Sequence, residues 1–370
     1  MEKIKNQLII IPFLIFIFGI PFINLLKPEQ SFSEIENRPL QQFPTFTWQR
    51  LANGRFMEEF ETYKTDQFMM KERWVGLKSD IERLAQRQEN NGVYFGDNGF
   101  LLEVFLDEGQ HFSRNLSLIN TFNERTPELE TTVMLVPTAV KIFEDKLPPF
   151  APILDQGILL EEAESTLTPQ FVNVVETLKN HREEEIFFRT DHHWTMRGAK
   201  HAYHQLMKSW NRESFNDYEI KIISDSFYGT HYARANNFHL PPDSVELFLP
   251  QADVNFTLQR GPEGEVVDSL FDFDFLERRD QYAFFLGGVG PLKIIRSDVA
   301  SEEKLVMFID SFAHNFIPFL AMHFKEIHVI DLRYFNANPY TYLEEHEFDK
   351  ALFLYNLSSF GEDPSLARLR

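Results

Sequence analysis

The chain contains no cysteine, which excludes disulfides, thiolate metal sites and a cysteine nucleophile. It is also poor in positive charge, with 36 basic against 56 acidic residues and a formal net charge of −20. Such a surface repels a phosphate backbone, so nucleic acid is not an expected partner. Internal repeats and low-complexity tracts are absent. So are a Gly-x-Ser-x-Gly elbow and the His-x-His or His-Glu-x-x-His spacings of zinc sites. What is abundant is phenylalanine, 39 copies in 370 residues, which predicts a thick aromatic core.

Lys3 and Lys5 precede an apolar run from Leu8 to Leu26, in which Asn24 and the small residues Gly19 and Pro21 are interruptions. That run is close to the ~20 residues a helix needs to cross a bilayer. It lacks an Ala-x-Ala-like cleavage site. Residues 1–27 are therefore expected to be an uncleaved membrane anchor with the lysines in the cytoplasm, and the remainder outside the cytoplasm. Residues 28–92 read as a polar, proline-bearing stalk followed by a helical connector from Trp48 to Gln88. A hairpin is expected around Gly96–Gly99.

From residue 93 to 370, strands and helices alternate. Strands are predicted at 131–136, 186–189, 304–309, 327–330 and 351–357, with helices at 112–122, 171–178, after Asp191, and 312–324. This alternation predicts one α/β domain with a mostly parallel sheet, interrupted by an insertion of partly β character at about 211–280.

Two junctions carry candidate chemistry. Ser311 follows an apolar strand, where its hydroxyl and the free N–H groups of a helix start would be exposed together. A serine in that place more often simply caps the helix. Asp191 and His193 stand two apart after another apolar run; in an extended segment they would point the same way, so that the carboxylate orients the imidazole as a base. His192 and His193, as strand neighbours, would face opposite ways, which disfavours a metal site. Tyr228, Gly287, Gly288 and Asn315 are candidates for substrate or oxyanion contacts, each equally explained by turns or local backbone bonding.

Arg189-Thr190-Asp191-His192-His193-Trp194-Thr195, with Gly198-Ala199, resembles the motif that names the DHHW family of bacterial surface proteins. Asp310-Ser311-Phe312-Ala313, Pro318-Phe319-Leu320-Ala321 and Ile330-Asp331-Leu332-Arg333-Tyr334-Phe335 fit the same family. So do Glu36-Asn37-Arg38, Asp66-Gln67-Phe68 and Phe227-Tyr228-Gly229. That family is similar to the SGNH-like proteins of alginate O-acetylation, in which an Asp-x-His pair precedes the nucleophilic serine. The resemblance implies an SGNH-like fold with Ser311 as nucleophile, His193 as base and Asp191 as its orienter. It implies O-acyl, chiefly O-acetyl, chemistry on a cell-envelope polysaccharide, with no metal or cofactor and a membrane-bound acyltransferase as donor partner. Relatives carry Gly-Gly-Asn where this chain has Gly287-Gly288-Val289, so that amide is not available here. The competing expectation is a non-catalytic surface glycan-binding or envelope-assembly protein with a degenerate site.

Overall fold

Phe308 and Phe353 stack at 4.8 Å on neighbouring strands, and Phe122 meets both edge-on at 5.2 and 5.1 Å. Part of the phenylalanine excess is spent there, between a sheet and the Phe112–Arg125 helix laid on it. The structure is a computed structural model, and it describes residues 10–33, 35–36 and 38–370. Lys3, Lys5, Leu8 and Asn37, which entered the sequence expectations, lie outside the described residues, as does position 34 of the expected stalk.

The chain divides into two units. One takes in the described residues up to Arg87 together with Asn236–Phe238; the other comprises Gln88–Ala235 and His239–Arg370.

In the first unit, residues 10–26 are helical and leave Ile10, Phe13, Phe16, Phe18 and Phe22 exposed. No helix among the described residues is long and apolar enough to cross a membrane. The expected helical connector is three helices, Trp48–Ala52, Arg55–Asp66 and Lys71–Leu84. They are separated where Gly54 and Met70 adopt left-handed backbone. Two motif fragments meet in this unit: Arg38 forks onto Asp66 with bonds of 2.9 and 2.6 Å. The Asp66 carboxylate is buried, so this bidentate pair has a geometry that surface ion pairs usually lack.

The second unit is built on an eight-stranded sheet. Its strands are β1 (Glu130–Val136), β2 (Gln170–Phe171), β3 (Phe256–Arg260), β4 (Val266–Val267), β5 (Leu292–Ser297), β6 (Lys304–Ile309), β7 (Glu326–Ile330) and β8 (Lys350–Asn356). The order across the sheet is β4-β3-β5-β7-β6-β8-β1-β2. From β7 to β2 every neighbouring pair is parallel. All seven residues of β8 and five of the six in β6 are buried, as strands covered on both faces require. β5, β3 and β4 extend the sheet by antiparallel pairing, an edge that strand–helix alternation did not foretell.

Other expectations need adjustment. The segment 171–178 splits into the end of β2 and a helix at Val175–Asn180. The helix foreseen at 312–324 is a 3-10 turn, Ser311–Ala313, followed by a single α-turn at Ile317–Leu320 with Pro318 near its start. The strand foreseen at 186–189 is one bridge, Phe187 to Trp194. The hairpin is present, Val93–Phe95 against Leu101–Glu103. The 211–280 segment contains a separate antiparallel pair, Tyr218–Phe227 and Asp243–Pro250, before it supplies β3 and β4.

Candidate active site

Ser311 stands immediately beyond the carboxyl end of β6, where α/β sheets gather their ligands. The capping role that would have explained it belongs to Asp310 instead. One Asp310 oxygen accepts the Phe312 N–H at 2.9 Å, and the other takes the Asn356 N–H at 2.9 Å and the Ser359 hydroxyl. Burial raises the Asp310 carboxyl, and these three donors oppose the rise. The Ser311 hydroxyl is thus left to another partner.

That partner is His193. Its Nε2 lies 2.9 Å from Ser311 Oγ, and its Nδ1 lies 2.5 Å from Asp191 Oδ1. With Asp191 ionised, Nδ1 carries the proton and donates to it, so Nε2 accepts from the serine hydroxyl. Burial alone would lift Asp191, but the His192 charge first, and the hydrogen bond with His193, outweigh it and hold the carboxyl well below the usual range. Burial first, then the neighbouring His192 charge, push His193 down to about 4 despite Asp191. The imidazole is therefore neutral at pH 7, the state a base must have.

The reason Asp191 and His193 meet differs from the expected one. Residues 189–193 are a bend, not extended strand. Asp191 Oδ1 accepts the backbone N–H of His193 at 3.0 Å, a local turn that folds the carboxylate back towards the ring. His192 does not face away either. Its ring lies 3.8 Å from that of His193, and its Nδ1 is 2.7 Å from Thr230 Oγ1. The Asp191 charge raises His192 against the effect of burial. Asp191, His192 and His193 are near enough to share an ion, but His192 Nδ1 is engaged by Thr230 and His193 Nδ1 by Asp191.

The hairpin of the 211–280 segment grips this turn from outside. Asp191 Oδ2 accepts the N–H and hydroxyl of Thr230 at 2.7 and 3.1 Å. Asp243 holds the N–H and hydroxyl of Thr190 at 2.8 and 2.6 Å. From inside, Trp194 Nε1 donates to the Phe312 carbonyl and Asn315 Nδ2 donates to the Trp194 carbonyl, both at 2.8 Å. The two junctions are therefore fastened to each other twice beside the serine–histidine contact.

The four remaining candidates are placed differently. Asn315 is fully buried and uses its amide to hold Trp194. Tyr228 sends its hydroxyl to the Leu240 carbonyl, and its ring lies against Tyr232 with the Arg279 guanidinium above both. Gly287 and Gly288 turn left-handed, at φ 71° and 77°. Gly288 spends its N–H on Phe285, and its carbonyl accepts from Lys293. None of the four hydrogen-bonds to Ser311 or His193.

Residues that the sequence did not single out complete the site. Tyr282 stacks flat on His193, with centroids 3.7 Å apart and an 11° interplanar angle, and its hydroxyl donates to the Ser311 carbonyl at 3.2 Å. Thr230 stands two residues after the candidate Tyr228, but nothing in the sequence assigns it a role of its own. Tyr282 follows Asp280 in an ordinary acid-rich stretch and carries no local signal; only the tertiary fold identifies it.

Residues 156–330 match the family model described as DHHW protein. Just under half of the chain thus resembles the DHHW family. The matched segment holds the Asp191 turn, the gripping hairpin and Ser311. A DHHW family protein from Eubacterium siraeum has a similar structure, with a TM-score of 0.65 and 24% identity over 76% of this chain and 95% of that one. Bacillus cereus PatB1, in a structure with a sulfonyl adduct, gives a TM-score of 0.62 at 18% identity over 74% of this chain and 97% of that one. At these identities the likeness is one of fold. A Pseudomonas fluorescens protein described as a probable alginate O-acetylase, AlgJ, is 23% identical over 172 residues, 43% of this chain and 43% of that protein. The chain thus spans less than half the length of that curated relative.

Proposed function

We propose that this protein is a DHHW-like, membrane-anchored, extracytoplasmic SGNH-like acyltransferase or esterase. It acts on O-acyl groups, acetyl foremost, of a cell-envelope polysaccharide. The observation that carries the reading is the Ser311–His193–Asp191 relay, with Nε2 at 2.9 Å from the hydroxyl and Asp191 at 2.5 Å behind Nδ1. The distant similarity to a probable alginate O-acetylase supports the reaction class.

In this reading the Ser311 oxygen attacks the acyl carbonyl while His193 Nε2 takes its proton. The resulting imidazolium is stabilised by Asp191. The tetrahedral oxyanion is met by the Ser311 backbone N–H at the start of the 3-10 turn, a group with no hydrogen-bond partner among the described residues. As the intermediate collapses, His193 returns the proton to the departing oxygen and an ester on Ser311 remains. A sugar hydroxyl or water then attacks that ester, with His193 again as base, and Ser311 is regenerated. No cofactor enters the scheme. Transfer calls for a membrane-bound acyl-donor partner, because acetyl-CoA is cytoplasmic. The exposed apolar helix at 10–26 is the described part of the anchor that would keep the protein beside that partner.

The test is turnover of 4-nitrophenyl acetate and of an O-acetylated glycan by purified protein. Acetate release by the wild type, abolished in Ser311→Ala, supports the reading. Equal rates in the two proteins, or no rate in a correctly folded wild type with or without a glycan acceptor, contradict it.

A further inference from the structure

We propose that His181, Glu184 and His201 form a binding site for one divalent transition-metal ion, of which zinc is the representative. The site lies outside the serine–histidine relay and goes beyond the acyl chemistry. His181 closes the Val175–Asn180 helix, Glu184 ends the 3-10 turn Arg182–Glu184, and His201 projects from the Met196–Ser209 helix.

Three features point to an ion. First, the three residues each offer a ligand atom, all within 4.8 Å of one another. Second, His201 Nε2 is 2.8 Å from Glu184 Oε2, while the His181 ring stacks on the His201 ring at 3.7 Å and 20°. A hydrogen bond to that carboxylate needs one imidazole, and here two are held beside it. Third, His181 Nδ1 lies 2.8 Å from the Thr177 carbonyl, so Nδ1 carries the proton and Nε2 keeps its lone pair. Metal-binding histidines are oriented in this way, by a carbonyl on the nitrogen opposite the ligating one. Two imidazoles and a carboxylate are a recognised zinc set that leaves a fourth position for water. The Glu184 side chain is 47% exposed, so solvent and ions can reach it. Imidazole ligands favour zinc, copper or nickel over magnesium or calcium.

An ion held there would tie Glu184 to His201, and the segment between them contains Asp191 and His193. Its effect is to clip both flanks of the turn. The Thr195 hydroxyl already makes one such tie, donating to the Glu185 carbonyl at 2.8 Å.

The experiment is calorimetric titration of the full chain with zinc chloride, after chelator treatment, paired with thermal denaturation. One ion per chain and a raised Tm are expected. Glu184→Gln and His201→Ala should each weaken binding at least roughly tenfold, while His192→Ala binds as the wild type does. Absence of zinc uptake overturns the proposal. So does uptake unchanged in Glu184→Gln, a conservative variant that keeps the fold, or uptake lost in His192→Ala, which would put the ion at the Asp191 turn.

Discussion

Gly229 and Asp191 touch so closely that any side chain at 229 would occupy the space of the carboxylate. A Cβ built there falls 2.1 Å from Asp191 Cβ and 2.2 Å from Oδ2. This glycine is needed for close approach, since its φ is not in the left-handed region. Gly229→Ala is expected to displace Asp191 and destabilise the fold by more than about 1 kcal/mol. Esterase activity should fall with it. A thermal melt and a rate measurement on the same sample check both parts.

Removing the relay members one at a time should produce unequal losses. Asp191→Asn keeps the shape but favours the wrong tautomer of His193, and is expected to lower the rate by about 10⁴. His193→Ala should lose at least as much. Comparison of pre-steady-state acylation rates reads these differences directly.

Tyr282 separates two roles. Tyr282→Phe keeps the ring on His193 and loses only the hydroxyl's bonds to the Ser311 and Phe312 carbonyls, worth about 1 kcal/mol or a factor of roughly five in rate. Tyr282→Ala removes the platform and lets the imidazole drift, at a cost on the order of 100-fold. Near-equal rates for the two variants would show that stacking does not position the base.

Acid should weaken the fold well before carboxylates protonate. His193, His204, His323 and His328 are each pushed down to about 4, and His231 to about 3, in every case first by burial. A group whose folded value is depressed binds its proton more readily when unfolded. Stability is therefore lost as pH falls from about 6.5 towards 4. His192, which is raised, opposes this alone among the site imidazoles. Melting temperatures taken between pH 7.5 and 4.5 should fall steadily below pH 6.5. A flat profile would mean that these histidines are hydrated.

Deleting residues 1–27 tests the anchor. The full chain should stay with membranes under carbonate extraction, and the shortened one should be released.

The parts of the fold legible in the sequence were those written in local periodicity. The strands at 131–136, 304–309, 327–330 and 351–357 were visible because runs such as Leu305–Ile309 are apolar throughout. The antiparallel edge was not, because Leu292–Ser297 and Phe256–Arg260 declare no direction until they pair. At the site, Asp191, His193 and Ser311 stood out by residue type and by their position at ends of apolar runs. Tyr282 and Thr230 act only through contacts with residues far along the chain, which spacing does not encode. Asn315 was noticed as a polar side chain near Ser311, but its burial and its bond to Trp194 decide that it holds the turn.

The most direct measurement is mass spectrometry of the protein after treatment with a fluorophosphonate probe. The expected result is a single adduct on the Ser311 peptide, absent from Ser311→Ala and from His193→Ala. An unmodified wild type with an intact fold, or an adduct that persists in Ser311→Ala, would contradict the assignment of Ser311 as an activated nucleophile.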